Sequence, residues 1–174
     1  MASTYILIAK TTLTTSQSSV TFSSIPQTYT DLILHQSAMS NVSTSLAGNY
    51  NIEFNGVTTG YSGRRIYADP SGGAASDTGT PKWAGFIPGT GATQNVPNSC
   101  TLYIGNYTSS NYKPWKLDVV VENQTSSAYE GLGTNLWSNT AAITSIVLKD
   151  ISSGANTGSF LANSTFTLYG IKNS

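Results

Sequence analysis

An acid–base mechanism in this chain would have to be built from eight carboxylates and one histidine. The carboxylates are Asp31, Glu53, Asp69, Asp77, Asp118, Glu122, Glu130 and Asp150, and the histidine is His35. Asp118 and Glu122 are the pair whose spacing invites attention, because residues four apart on a strand share a face. Along a strand that separation is about 13 Å, beyond the roughly 5–9.5 Å that paired carboxylates use in glycoside hydrolysis. Glu53 lies between Ile52 and Phe54, so inward apolar neighbours leave it as a solvated surface residue. His35 follows Leu32-Ile33-Leu34 and reads as a satisfied core or interface histidine. Cys100, the single cysteine, falls in the alternating run Ser99-Cys100-Thr101-Leu102-Tyr103-Ile104 and reads as a small buried hydrophobe. No catalytic residue is assigned.

Metal and cofactor sites fare no better. One His and one Cys do not make a zinc site, and Asp69 and Asp77 are too sparse for a calcium loop. Gly89-Thr90-Gly91 lacks the lysine and following helix of a phosphate loop. No cofactor and no metal is expected, and the chain is read as a non-enzyme.

The composition agrees. Only 9% of the 174 residues are charged, against about a quarter in ordinary soluble domains, while Ser, Thr and Asn make up about a third. Eight basic and eight acidic residues cancel. A neutral chain lacks the cationic footprint that drives nucleic-acid binding, so no direct nucleic-acid partner is expected. The apolar run Tyr5–Ala9 is too short for a signal peptide and no run reaches a membrane span, which points to assembly in a cytoplasm and no membrane partner.

Period-two alternation dominates the elements that must position any site. Strands are predicted at Tyr5–Ala9, Ser19–Ser23, Asp31–Met39, Asn49–Phe54, Arg64–Ala68, Leu102–Tyr107, Trp115–Glu122, Tyr129–Trp137, Ile143–Lys149 and Thr165–Ile171. In the last, Phe166, Leu168 and Gly170 share one face. Asn55-Gly56 marks a tight turn, since both residues tolerate positive φ. Short strands with no amphipathic helix imply an all-β fold: an antiparallel two-sheet β-sandwich, jelly-roll-like, forming a single domain over 1–174. The first and last strands are expected to lie near one another.

The stretch from about 69 to 98 reads as a long loop, and long loops in compact domains tend to be functional. It carries Trp83, Phe86 and Ile87 with Lys82 as its one base, a set that suits a protein interface; the alternative is that the aromatics fold back over one end of the sandwich. Arg64-Arg65 is the one adjacent basic pair. Its members point to opposite faces, either as a charged strand edge that discourages aggregation or as an ion pair across a subunit boundary. The interface candidates are therefore Arg64, Arg65, Lys82, Trp83, Phe86 and Ile87.

Two segments resemble a recurring pattern in virion proteins of tailed bacteriophages, those of aquatic bacteria and cyanobacteria above all. They are Tyr5-Ile6 through Thr12-Leu13-Thr14 with Ser19-Val20-Thr21-Phe22-Ser23-Ser24-Ile25-Pro26-Gln27-Thr28-Tyr29-Thr30-Asp31-Leu32-Ile33-Leu34, and Phe166-Thr167-Leu168-Tyr169-Gly170-Ile171. Asn51-Ile52-Glu53-Phe54-Asn55-Gly56 is similar to the same group. The resemblance covers both ends and fades from about Ala68 to Val96. It implies a β-sandwich subunit of the virion: a head decoration, or cement, protein on the capsid surface that binds the major capsid protein, as a homo-oligomer, a trimer. The alternative it implies is a tail fibre, spike or baseplate module that meets host-surface glycans.

Overall fold

The structure, a computed structural model, describes residues 4–42, 47–69, 73–78, 81–92, 95–122, 128–150 and 158–172. It is all-β, as expected. Among the described residues there are twelve strands: β1 (Tyr5–Thr12), β2 (Ser19–Phe22), β3 (Asp31–Ser37), β4 (Ala47–Phe54), β5 (Tyr61–Ala68), β6 (Ala74–Asp77), β7 (Trp83–Pro88), β8 (Ser99–Ile104), β9 (Lys113–Glu122), β10 (Ala128–Trp137), β11 (Ile146–Asp150) and β12 (Thr165–Ile171). They form two antiparallel sheets. The larger has eight strands in the order β1-β12-β3-β8-β9-β10-β5-β6, and the smaller has four in the order β2-β11-β4-β7. Among the described residues no helix is long and apolar enough to cross a membrane.

The alternation seen in the sequence is what faces the sheets toward each other. Leu168, Leu34, Leu102 and Leu117 stand in register across β12, β3, β8 and β9, and all four are buried. From the smaller sheet Phe22, Ile52, Phe54, Ile146 and Leu148 fill the same core. Burying each such side chain stabilises the fold by about 1.5–3 kcal/mol relative to leaving it in water. In β12 the buried positions include Phe166 and Leu168, the face the period-two pattern assigned. The termini meet as expected: β1 pairs with β12 along its length, from Tyr5 opposite Ile171 to Thr12 opposite Thr165. In the other sheet β2 pairs with β11, so the two ends of the chain run together through both layers, the wrapping of a jelly roll.

Asn55-Gly56 makes the tight turn, with φ of 53° and 70° and a Val57 N–H donating to the Phe54 carbonyl at 2.9 Å. It does not close a hairpin. β4 belongs to the small sheet and β5 to the large one, so the turn carries the chain from one layer to the other. The Asn55 side chain anchors it by donating to the Ala142 carbonyl at 2.8 Å and accepting from the Thr144 and Ser145 amides.

The expectation of one long loop over 69–98 is corrected. Two strands, β6 and β7, lie inside it. Trp-Ala-Gly-Phe-Ile-Pro shows no alternation because every residue of β7 is buried, and a run with glycine and proline carries little strand signal. β6 is short and made of small residues, and it pairs only with β5 at the sheet edge.

Candidate functional site

The six interface candidates end up in different places. Trp83, Phe86 and Ile87 lie on β7 and pack into the core, with Trp83 only 1% exposed; they are packing residues of the isolated chain, on a strand of the smaller sheet and not on a loop folded over one end of the sandwich. Arg64 is exposed on the outer face of the large sheet and donates to the Ser76 hydroxyl at 3.3 Å. Arg65 turns inward, opposite Gly133, as neighbours on a strand must. Its ion-pair partner is Asp77 of the same chain, at 2.8 Å, and it also donates to the Asn49 side chain of the small sheet at 2.8 Å. Its guanidinium lies 5.0 Å from the Tyr67 ring centre, 5.1 Å from Trp83 and 5.4 Å from Phe86, within cation–π range of each. Arg65 thus ties the overhanging β5–β6 edge to β7 and β4.

Gly131 and Gly133 make room for this cluster. A Cβ on Gly131 would sit 2.8 Å from the Trp83 ring and 3.1 Å from the Phe86 ring. Both rings are buried and hold their places against several neighbours, so Gly131→Ala is expected to destabilise the fold by about 1–3 kcal/mol through overpacking, measured as a lower denaturant midpoint.

Lys82 and Glu53 correct a second expectation. Glu53 does point away from the core, but it is not solvated. Its carboxylate accepts from Lys82 Nζ and from Lys149 Nζ, each at 2.6 Å, and the side chain is only 4% exposed. Burial pushes this carboxyl up, but the hydrogen bonds and charges of Lys149 and Lys82 outweigh it and hold the group below the ordinary carboxylate range.

Cys100 is buried, as expected. Desolvation pushes its thiol up to about 12, with the nearby Asp118 charge adding to the rise and the Tyr50 hydroxyl opposing it. The thiolate is the reactive form, so the native protein is expected to resist a thiol reagent at pH 8 and to react promptly once unfolded. Fast labelling of the folded chain would contradict this placement. His35 is exposed rather than buried; it lies 3.1 Å from the Thr101 hydroxyl, edge-on to the Tyr169 ring at 5.8 Å.

The feature that sequence reasoning missed is on the outer face of the large sheet. Asp118, Leu132, Ile66 and Ser76 stand in register across β9, β10, β5 and β6. The next row is Val120, Glu130, Ala68 and Ala74. Together they line a groove of about 550 Å³. Its floor carries three apolar side chains half open to solvent, Ile66 at 54%, Val120 at 48% and Leu132 at 56%. Asp118 and Glu130 are diagonal neighbours there, about 7–8 Å apart. On a strand, alternation puts Asp118 with Val120, and Glu130 with Leu132, on one face. The register that joins the strands is a property of the fold, so Asp118 was weighed against Glu122 in its own strand instead of Glu130 in the next.

Among the described residues no three metal-ligating side chains come together. Asp69 and Asp77 flank residues 70–72, which lie outside the described residues, as does the side chain of Asp150.

No family of known sequences matches the chain, and no curated protein does. Solved structures similar to it include scytalido-glutamic peptidase with a transition state analog inhibitor, at 13% identity and a TM-score of 0.33, over 88% of this chain and 75% of that one. Another is the Ruminococcus gnavus IT-sialidase CBM40 bound to alpha2,6 sialyllactose, at 9% identity and a TM-score of 0.40, over 97% of this chain and 95% of that one.

Proposed function

We propose that this chain is a non-catalytic structural subunit of a virus particle, a head decoration protein that binds the major capsid protein shell through the open face of its larger sheet. The observation that carries this reading is the uncovered apolar group Ile66, Val120 and Leu132 on that face. Exposed apolar residues gathered in one patch mark an interaction surface. The chain as a whole carries no net charge and is rich in Ser, Thr and Asn, which suits contact by shape and hydrogen bonding without long-range attraction to packaged DNA. The opening and closing segments, which resemble virion proteins of tailed bacteriophages, supply the assembly.

The mechanism is mechanical. A trimer straddling boundaries between shell subunits engages several of them at once. Weak contacts combined in this way gain avidity by orders of magnitude, and pressure from within then has to break them together. The test adds the purified chain to shells lacking it. Saturable binding, lost in Leu132→Asp with the fold intact, is expected. Shells that bind nothing at any concentration would exclude the reading.

A second reading rests on a different part of the same face. Tyr5, half exposed, stands edge-on to Tyr169 at 6.4 Å, and Tyr169 edge-on to His35 at 5.8 Å. Such a strip of rings beside hydroxyls suits stacking on sugars, as a host-surface adhesin requires. The three tryptophans are buried and take no part in this strip. A glycan array decides between them: selective glycan binding with no affinity for shells favours the adhesin.

A further inference from the structure

We propose that the groove over Ile66, Val120 and Leu132 binds an extended protein segment that presents Lys or Arg beside apolar side chains on one of its faces. This rests on the reading that the chain works by protein contact, and it names the chemistry of the partner.

The groove is a two-by-two pattern continued sideways. Asp118 and Val120 alternate on β9, and Leu132 and Glu130 face them on β10, so each carboxylate has an apolar side chain next to it along its strand and across the ladder. Ile66 and Ala68 on β5 extend the apolar part, and Ala74 and Ser76 on β6 close it. Among the described residues Asp118 and Glu130 are the two charged groups in the lining, and no base lines it. The nearest bases on this face lie one row away and keep their charge: Lys116 sits 5.7 Å from the Tyr103 ring centre, and Arg64 donates to the Ser76 hydroxyl. The electrostatic complement of this lining is cationic, and the complement of its floor is apolar.

Spacing selects the shape of the occupant. On an extended strand, residues two apart share a face at about 6.6–6.8 Å. The carboxylate at Asp118 and the apolar Val120 are separated by that same interval on β9, so a strand laid over the groove matches a cation to Asp118 and an apolar side chain to the floor with one repeat. A helix would bring its matching residues at 5.4 Å per turn, out of step with that interval. The groove crosses four strands, so a segment laid along β9 has room to cover Leu132 and Ile66 beside it as well.

The test titrates the full chain with a peptide whose one face alternates Lys and Leu, with Ser on the other, and with a counterpart carrying Glu for Lys. Backbone amide shifts of the protein are followed. The Lys peptide is expected to move the amides of Ile66, Val120 and Leu132, with an affinity that falls as salt rises, and the Glu peptide is not. The double variant Asp118→Asn, Glu130→Gln, both exposed and both outside the core, is expected to keep its fold and bind the Lys peptide about tenfold more weakly, the modest loss that two exposed ion pairs carry. Equal binding of both peptides, shifts confined to another face, or no shifts would overturn the proposal. So would shifts of the same amides that grow with protein concentration alone, which would give the face to a second copy of this chain. A chain that decorates shells yet ignores the Lys peptide loses this inference and keeps the function above; one that binds the peptide but no shell does the reverse.

Discussion

Replacing Trp83 with alanine is expected to cost about 3–5 kcal/mol of folding stability, read as a fall in the denaturant midpoint with the slope unchanged. Trp83 is one of the largest fully buried side chains. It fills the space left by Gly131 and Gly133 and packs edge-on to Phe86 at 5.0 Å. Neighbouring glycines have no side chains that could swing in to fill the void, so the cavity term stays large. Arg65 adds to the loss, because its guanidinium sits over the Trp83 ring and would keep its charge in a partly buried place with less to stabilise it. A variant that folds as well as the natural chain and loses only partner binding would mean that Trp83 is an exposed anchor after all.

The second large effect concerns acid. Glu53→Gln is expected to destabilise the fold by about 1–3 kcal/mol at neutral pH and to flatten the acid limb of the stability curve. The figure is kept below that of a deeply buried pair because Lys149 is 40% exposed and its contact is screened by water. The folded-state pKa of Glu53 lies below its ordinary value, so the native fold favours the ionised carboxylate. That stability is fully present above the ordinary value of 4.5 and is lost as pH falls through the depressed one. In the variant no such proton is taken up, and the two ammonium groups face each other across a neutral amide. Urea midpoints of the two proteins, measured between about pH 2 and 7, check this. Coincident curves would show that the Lys82–Glu53–Lys149 arrangement contributes nothing in solution, and parallel but displaced ones that Glu53 takes up no proton on unfolding.

What was legible in the sequence follows from what alternation encodes. Period two fixes which side of a strand faces the core, and so it found Phe166 and Leu168, the strand of Cys100 and the opposed directions of Arg64 and Arg65. It says nothing of what covers the outer side. Glu53 points outward as expected, yet Lys82 and Lys149 reach it from the approach to β7 and from β11, two segments distant in the chain, and seal it from water. Alternation also fails where both sides are buried, as in β7, and where residues are small, as in β6. The groove needed a third kind of information. Asp118, Glu130, Ile66 and Leu132 come from three strands, and only their register brings them together; an exposed Leu or Ile in isolation is ordinary, so the apolar members drew no notice and Asp118 stood out only for its spacing from Glu122.

The most direct test of the central claim, that this chain works by being held against protein neighbours through the open face of its larger sheet, is an image of the assembled particle at a resolution that shows side chains. The account predicts many copies on the head, with Ile66, Val120 and Leu132 buried against the shell. Particles without the chain, or copies whose groove faces open solvent while Tyr5 and Tyr169 hold a sugar, would contradict it.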